Sequence, residues 1–566
     1  VPRVALAALA LAGLAGCART AALPEQRLQR LLPALGAPEF VTLDAETRPA
    51  TRLRFGEARS CRVSVGRDAQ LAFAVGVLSG APRGGRVVVR VTLNGAEILR
   101  DELPAARVRW WNRTLPLAPA TDATLELRVD HEGEGRADPA EALVALAVPR
   151  LAPARPTPGR VLVWISQDTL RADHLESYGY GRATAPNLAR LAQQWTLFDR
   201  GVSAASWTLP SLASQMTSRY PSFHGATTHL RRADERFPTL FEVLAAQGFA
   251  VAGVTGNPFV SEKHGLARGF DSLVYSGLRA DVVSRLALRA AEQWGGGDLA
   301  LFVHYMDPHS SYQPPPPFDT RFGETYAGIV DGYNYVSAAK TEADREHVRA
   351  LYDGEIAYTD EQIAALLGGL DTRGLLDRAI LAYTADHGEE LFDRGAWGHA
   401  HTLYQELLHV PFALRIPGQS PRRVAEPVSL VDLAPTLLEA LGIEAPVSFQ
   451  GRSLLPLVRG RSLTALPLFS ETARTEAHQQ VSVREGRWKY TVVYDTPASG
   501  RVLRDEKLFD LDADPGERRP VARDLAPFRR EVEAFLERSR SAGAVSRDAA
   551  LDPEEQERLR ALGYVN

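Results

Sequence analysis

The chain has 566 residues, with 65 Lys and Arg against 69 Asp and Glu for a net charge of −4. That length fits two or three domains, and a near-neutral charge balance gives nucleic acid no electrostatic footprint to bind. With Cys17 and Cys61 the only two cysteines, no disulfide framework can hold the fold. Residues 1–17 open with Arg3 and the apolar run Val4 to Gly16, too short to span a bilayer and shaped like a secretory signal. Residues 18–50 are polar and Pro-containing and read as a tether with a short helix from Gln26 to Leu35. Over 51–151, short β-rich runs such as Cys61 to Val65, Leu71 to Val75, Val87 to Leu93 and Leu125 to Val129 alternate with turn signals, among them Asn94-Gly95. Regular short strands of this kind predict an antiparallel β-sandwich, with no catalytic constellation and the character of a spacer. Residues 152–160 form a Pro-rich linker. From 161 to 463 the pattern alternates between strands and helices: strands at Val161 to Ser166, Ala250 to Val254, Leu299 to His304 and Ala379 to Thr384, and helices at Leu188 to Gln194, Leu240 to Gln247 and His347 to Leu370. This predicts an α/β fold, a mainly parallel central sheet with helices on both faces. Residues 464–566 add a small antiparallel C-terminal subdomain, with strands at Gln480 to Val483 and Trp488 to Val493, and a charged amphipathic helix from Pro553 to Leu562. The loop 311–335, with Pro314 to Pro317, is expected to wall the pocket.

Four clusters follow strand ends or open helices: Asp168-Thr169, Thr208, His304 to His309, and Asp386-His387-Gly388-Glu389 with His399 and His401 a short loop later. Each has an ordinary explanation alone, since Asp after a strand forms turns and Thr caps helices. Their conjunction at the carboxyl ends of strands, where open α/β sheets bind ligands, points to one site. Two Asp oxygens and an imidazole make a mixed oxygen and nitrogen site for one divalent metal, with Zn²⁺ or Mn²⁺ favoured over Ca²⁺. A Thr208 hydroxyl bound there becomes acidic enough to attack. The remaining histidines are then available to hold non-bridging oxygens or protonate a leaving group.

The segments Asp168-Thr-Leu-Arg-Ala-Asp-His-Leu-Glu-Ser-Tyr-Gly, Thr184-Ala-Pro-Asn-Leu, Ser206-Trp-Thr-Leu-Pro-Ser, Asp307-Pro-His309, Tyr352-Asp-Gly-Glu355 and Asp386-His-Gly-Glu resemble the sulfatase family of the alkaline phosphatase superfamily, over roughly residues 160–530. The resemblance implies that Asp168 and Asp386 are metal carboxylates and His387 the neighbouring ligand, an Asn in many arylsulfatases. It implies that His309 contacts substrate. It puts His399 near the residue that binds the transferred group, with His401 its competitor, and Asn257 roughly where arylsulfatases carry a Lys. Three departures stand out. The C/S-x-P-x-R register reads Thr208-Leu209-Pro210-Ser211-Leu212, the first metal pair is Asp168-Thr169 rather than Asp-Asp, and Asp386-His387 replaces Asp-Asn. Thr cannot yield formylglycine, because its β carbon would become a ketone. The expectation is therefore a metal-dependent hydrolase of phosphate or sulfate esters with a Thr208 nucleophile, phospho-esters favoured. The alternatives are a phosphoethanolamine- or phosphoglycerol-type transferase and a non-catalytic binding lipoprotein. Leu14-Ala15-Gly16-Cys17 resembles the bacterial lipoprotein cleavage box. That implies lipidation of Cys17 and anchoring at the membrane of the bacterial cell envelope, facing the periplasm or exterior. Tethering there suggests anionic esters of envelope glycans or lipid-linked molecules as substrates.

Overall fold

The computed structural model describes residues 29–31, 35, 38–78, 85–104, 109–132, 143–153, 158–277, 279–294, 297–323, 326–473, 477–496, 500–545, 547–561 and 564. The expected signal at 1–17, with Cys17, lies outside them. The chain folds as two units, Val1–Pro158 and Gly159–Asn566.

The first unit pairs two antiparallel sheets. One runs Glu39–Leu43, Glu46–Arg54, Leu143–Pro153, Ala69–Val77, Trp110–Pro116. The other runs Ala58–Val65, Ala120–Glu132, Arg86–Leu93, Ala96–Pro104. In Ala58–Val65, Cys61, Val63 and Val65 are buried while Ser60 and Arg62 face solvent, the period-two alternation of a half-buried strand. Both sheets feed one core, Val63, Val89 and Leu127 from one and Phe73, Val75 and Leu146 from the other. Asn94 and Gly95 turn a two-residue hairpin with φ of 51° and 81°, the doubly positive geometry that these two residues tolerate best. Two expectations need correction. The strands Glu39–Leu43 and Glu46–Arg54 lie where a tether was expected, because Val41, Leu43 and Leu53 have an apolar sheet to pack on. Gln29–Arg30 is a strand paired with Arg150 and Leu151 rather than part of a helix.

In the second unit the sheet order is Arg422–Val424, Thr196–Val202, His409–Arg415, Ala379–Ala385, Pro158–Gln167, Gly297–Tyr305, Ala250–Thr255, Ser272–Tyr275. Pairing is mainly parallel, with His409–Arg415 antiparallel to both neighbours. Ala379–Ala385 and Ala250–Thr255 are buried at every position, which is why they read as unbroken apolar runs. Helix Ala280–Trp294 packs on Ala250–Thr255, on Gly297–Tyr305 and on the long helix Glu342–Asp371. That long helix starts N-terminal to the expected His347 because Thr341 and Asp344 form a capping box. Its buried acids are structural ties. Asp353 takes His174 Nδ1 at 2.7 Å and Arg182 at 2.8 Å, and Asp360 accepts the backbone N–H groups of Asn187 and Leu188 at 2.9 and 2.8 Å, capping helix Pro186–Ala192.

A second sheet, Leu468–Thr472, His478–Glu485, Trp488–Asp495, Val502–Asp510, is wholly antiparallel. Helix Ala526–Ala542 covers it with Phe528, Val532, Phe535 and Leu536. Glu471 ties this sheet to helix Pro221–His224 by accepting the Ser222 N–H at 3.1 Å and its hydroxyl at 2.9 Å. Burial pushes the Glu471 carboxyl up to about 7. A raised carboxyl favours the protonated fold, so its contribution is present in acid and lost as the unfolded chain ionises first on the way up to that value. Glu471→Gln is expected to remove a loss of about 3 kcal/mol between roughly pH 4.5 and 7, narrowing the Tm difference between about pH 5 and pH 8 in a thermal melt.

Candidate active site

Four adjacent strands deliver the site. Pro158–Gln167 pairs in register with Ala379–Ala385, with Gln167 opposite Ala385, so the next residues, Asp168 and Asp386, emerge side by side. Backbone bonds continue past the strand ends: Asp386 N–H donates to Gln167 O at 3.3 Å, Asp168 N–H to Tyr305 O at 2.9 Å, and Gly256 N–H to His304 O at 3.0 Å. This brings His304 and Asn257 to the same edge. Thr208 comes from across the chain as the first residue of helix Thr208–Thr217, whose N-terminal partial charge favours an anion there. Ser211 in that helix donates to Asp386 O at 2.6 Å, and Ser203 does so at 2.5 Å, fixing the helix start against the Asp386 turn.

Asp168, Asp386 and His387 lie close enough to share one metal ion, and are the one such group among the described residues. Thr208 Oγ1 is 3.4 Å from Asp168 Oδ1 and 3.2 Å from His387 Nε2. Asn257 Nδ2 donates to Asp168 Oδ2 at 2.6 Å. Asp386 Oδ1 accepts the N–H groups of Thr169 and His387 at 3.2 and 2.8 Å, while its Oδ2 has no hydrogen-bond partner. Neither ring nitrogen of His304 has one either, and its Nε2 stands 3.9 Å from Asp168 Oδ2 and 4.0 Å from Asp386 Oδ2. His387 Nδ1 meets Gly388 O at 2.8 Å, a carbonyl that only accepts, so Nδ1 carries the proton and Nε2 turns a lone pair to the cluster. Burial and the neighbouring Asp386 charge push Asp168 well above the carboxylate range, and burial raises Asp386 to about 6. Burial also lowers His387 to about 3 and His304 to about 4, so both are neutral and able to ligate. Unpartnered acid and imidazole atoms around two crowded carboxylates fit a divalent cation.

The histidines divide. His309 Nδ1 donates to Ser310 O at 2.7 Å, leaving Nε2 without a partner, and its ring lies 5.0 Å from that of His399. His399 Nδ1 bonds Glu389 Oε1 at 2.8 Å, and its ring lies 4.6 Å from His387. His401 is turned away, with Nε2 on Glu390 at 2.8 Å and Nδ1 on the His399 carbonyl at 3.1 Å. A cavity of about 350 Å³ is lined by Trp207, His229, Ser310, Trp397, His399 and His401, among others. Among the described residues, none of the loop 311–335 lines it; Tyr312 instead reaches inward to hydrogen-bond Glu389 at 3.1 Å. Three residues near the centre were given no specific role from sequence. His304, part of the His304 to His309 cluster, is the next-to-last residue of strand Gly297–Tyr305. Glu389 is legible only as part of Asp-His-Gly-Glu. Tyr564, whose hydroxyl lies 3.1 Å from Thr208 Oγ1, is 356 positions away from it and carried no sequence signal.

The family profile described as sulfatase matches residues 160–443. The chain belongs to the sulfatase family, within the alkaline phosphatase superfamily. A second profile, N-sulphoglucosamine sulphohydrolase C-terminal, matches residues 394–540. Among curated relatives, the choline-sulfatase of Rhizobium meliloti (strain 1021) is 32% identical over 190 residues, 33% of this chain and 35% of that protein. Human arylsulfatase K is 31% identical over 192 residues, 32% of this chain and 35% of that one. The match thus spans about a third of these relatives' length. Solved structures share the fold: a 2-O GAG sulfatase (TM-score 0.57, 19% identity, 70% of this chain and 96% of that chain) and a phosphonate monoester hydrolase from Silicibacter pomeroyi (TM-score 0.55, 22% identity, 70% and 100%). For this sulfatase-family chain, retention of about one divalent cation per chain is expected by elemental analysis. Asp386→Asn should keep its backbone bonds but turn an amide to the ion, weakening retention roughly tenfold or more; equal retention would remove the metal assignment.

Proposed function

We propose that the protein is a metal-dependent ester hydrolase in which Thr208 attacks the phosphorus or sulfur of an anionic ester. The observation that carries this is the Thr208 hydroxyl, 3.4 Å from Asp168 Oδ1 and 3.2 Å from His387 Nε2, inside a cluster with orphaned ligand atoms. Asp168, Asp386 and His387, with Thr208 itself, would hold the cation, and His304 is near enough to join them. When bound, such a cation lowers the pKa of the threonine hydroxyl and neutralises charge on the ester. The chain's own residues do the rest. Thr208 passes its proton to Asp168, its Oγ1 bonds to the central atom, and the bond to the departing oxygen breaks. Asn257 and the start of helix Thr208–Thr217 offer N–H donors to the oxyanion. His399, oriented by its bond to Glu389, would as the imidazolium hand a proton to the leaving oxygen, while His309, whose Nδ1–H is held by Ser310 O, keeps a free Nε2 lone pair. Water then attacks the Thr208 ester, giving a proton to a neutral histidine as Asp168 returns its own to Thr208 Oγ1.

Phospho-esters are the favoured substrates, since an unmodified threonine makes a simple ester intermediate and no aldehyde chemistry is open to it. Sulfate esters are the second reading, supported by relatives named choline-sulfatase and arylsulfatase K. Thr208→Ala is expected to lower kcat by at least roughly 10³-fold while the melting curve is kept. Paired panels of aryl phosphates, phosphodiesters and sulfates then rank the substrates by kcat/KM. Wild-type rates in the variant would sink the nucleophile. We also propose that residues 1–17 are a lipoprotein signal with Cys17 acylated, anchoring the protein in the cell envelope; Cys17→Ala should move it from the membrane to the soluble fraction.

A further inference from the structure

Thr208 Oγ1 is closed on every side. Asp168, His387 and Asn257 crowd it, and the phenol of Tyr564 completes the shell, 3.1 Å from Thr208 Oγ1 and 3.1 Å from Asn257 Nδ2. Thr208, Asn257, Asp168, Asp386 and His387 are 0% exposed, whereas Tyr564 is 8% exposed and lines the 350 Å³ cavity. Its ring therefore stands between that cavity and the threonine. It packs edge-on to Phe259 at 4.7 Å and beside His309 and His399 at 5.4 and 5.7 Å. A reacting atom must come within roughly 3–3.5 Å of the attacking oxygen, and the phenol oxygen already sits at that distance. Ester and phenol cannot both be there.

The segment carrying the ring is lightly held. Arg547–Asp548 makes a two-residue pairing with Arg231–Arg232, and the Ala549 N–H donates to Leu230 O at 2.7 Å. Helix Pro553–Ala561 buries Leu559 alone, and Arg558 lies over the Tyr275 ring at 5.2 Å. Few buried apolar contacts and exposed helical bonds mark a segment that opens at low free energy. The phenol is also neutral at ordinary pH, a weak competitor for an oxyanion ester that a cation held by Asp168, Asp386 and His387 would draw in.

We propose, resting on the reading of Thr208 above, that Tyr564 is a displaceable plug. Residues 547–561 hold the Tyr564 phenol on the nucleophile until an oxyanion ester takes its place, and the reach of its withdrawal sets which esters are turned over. Hydrogen–deuterium exchange of the full chain, with and without orthovanadate at a concentration that stops turnover, tests this. Amides of Pro553–Ala561 are expected to exchange roughly fivefold or more faster with vanadate. Tyr564→Ala should reach that faster exchange without vanadate. It should also raise kcat/KM for a bulky aryl ester by roughly threefold or more relative to a small one. Arg558→Ala, which loosens the segment away from the nucleophile, should shift both readouts in the same direction. Exchange unchanged by vanadate overturns the plug, as does loss of turnover in Tyr564→Phe and Tyr564→Ala alike, which would make the phenol a working part of the site. Thr208→Ala, measured in parallel, keeps the two readings apart: wild-type turnover in it sinks the nucleophile, while the exchange response to vanadate still decides the plug.

Discussion

The structure turns on two aspartates buried next to one another. Parallel strands Pro158–Gln167 and Ala379–Ala385 run in register to their last residues, so the chain has no choice but to set Asp168 beside Asp386. Like charges in a buried place are unfavourable, and both carboxyls are pushed upward. The surroundings answer with donors: Asn257 Nδ2 on Asp168, and two backbone N–H groups on Asp386. Thr169 adopts φ of 54° to aim its N–H there, an uncommon backbone choice for a β-branched residue. One oxygen of Asp386 is still left over. An arrangement that stops one partner short of satisfaction has the make-up of a place that could hold a metal ion.

Thr208 makes sense only against that pair. The register that would carry a modifiable Cys or Ser in arylsulfatases holds an unmodifiable alcohol, and the position of the signature arginine is Leu212, fully buried. What ties the helix to the metal edge here is Ser211, with Ser203, on the Asp386 carbonyl. Membership of the sulfatase family thus accounts for the scaffold, while Thr208 is where this chain departs from the arylsulfatase signature.

Behind the centre, a chain of buried contacts orders the histidines. Tyr312 holds Glu389, Glu389 holds His399, and His399 packs between His387 and His309. His401, two residues on, points to Glu390 instead, because the left-handed turn at Ala400 (φ 69°) breaks the extended pattern that would set residues two apart on one face. Two adjacent glutamates therefore hold two nearby histidines in different directions. Sequence proximity alone could not separate them, since both follow the same strand at nearly the same distance.

The apolar runs ending at Gln167, Thr255, Tyr305 and Ala385 were legible because central parallel strands are buried on both faces, and local pattern is all that such burial requires. The residues just beyond them, Asp168, Asn257 and Asp386, could be placed at one edge for the same reason. The N-terminal strands were harder. Glu39–Leu43 is short and Glu46–Arg54 is polar and interrupted by Pro49, and both become strands because a sheet is there to pair with. Sequence by itself determined the fold class and the family, and named Asp168, Asp386 and His387, which the fold brings together. Only the tertiary structure decided that His399 rather than His401 faces His387, that His304 stands about 4 Å from both carboxylates, and that Tyr564 covers Thr208. Those contacts are made by side-chain direction and by residues hundreds of positions apart, and neither leaves a period or a spacing in the chain.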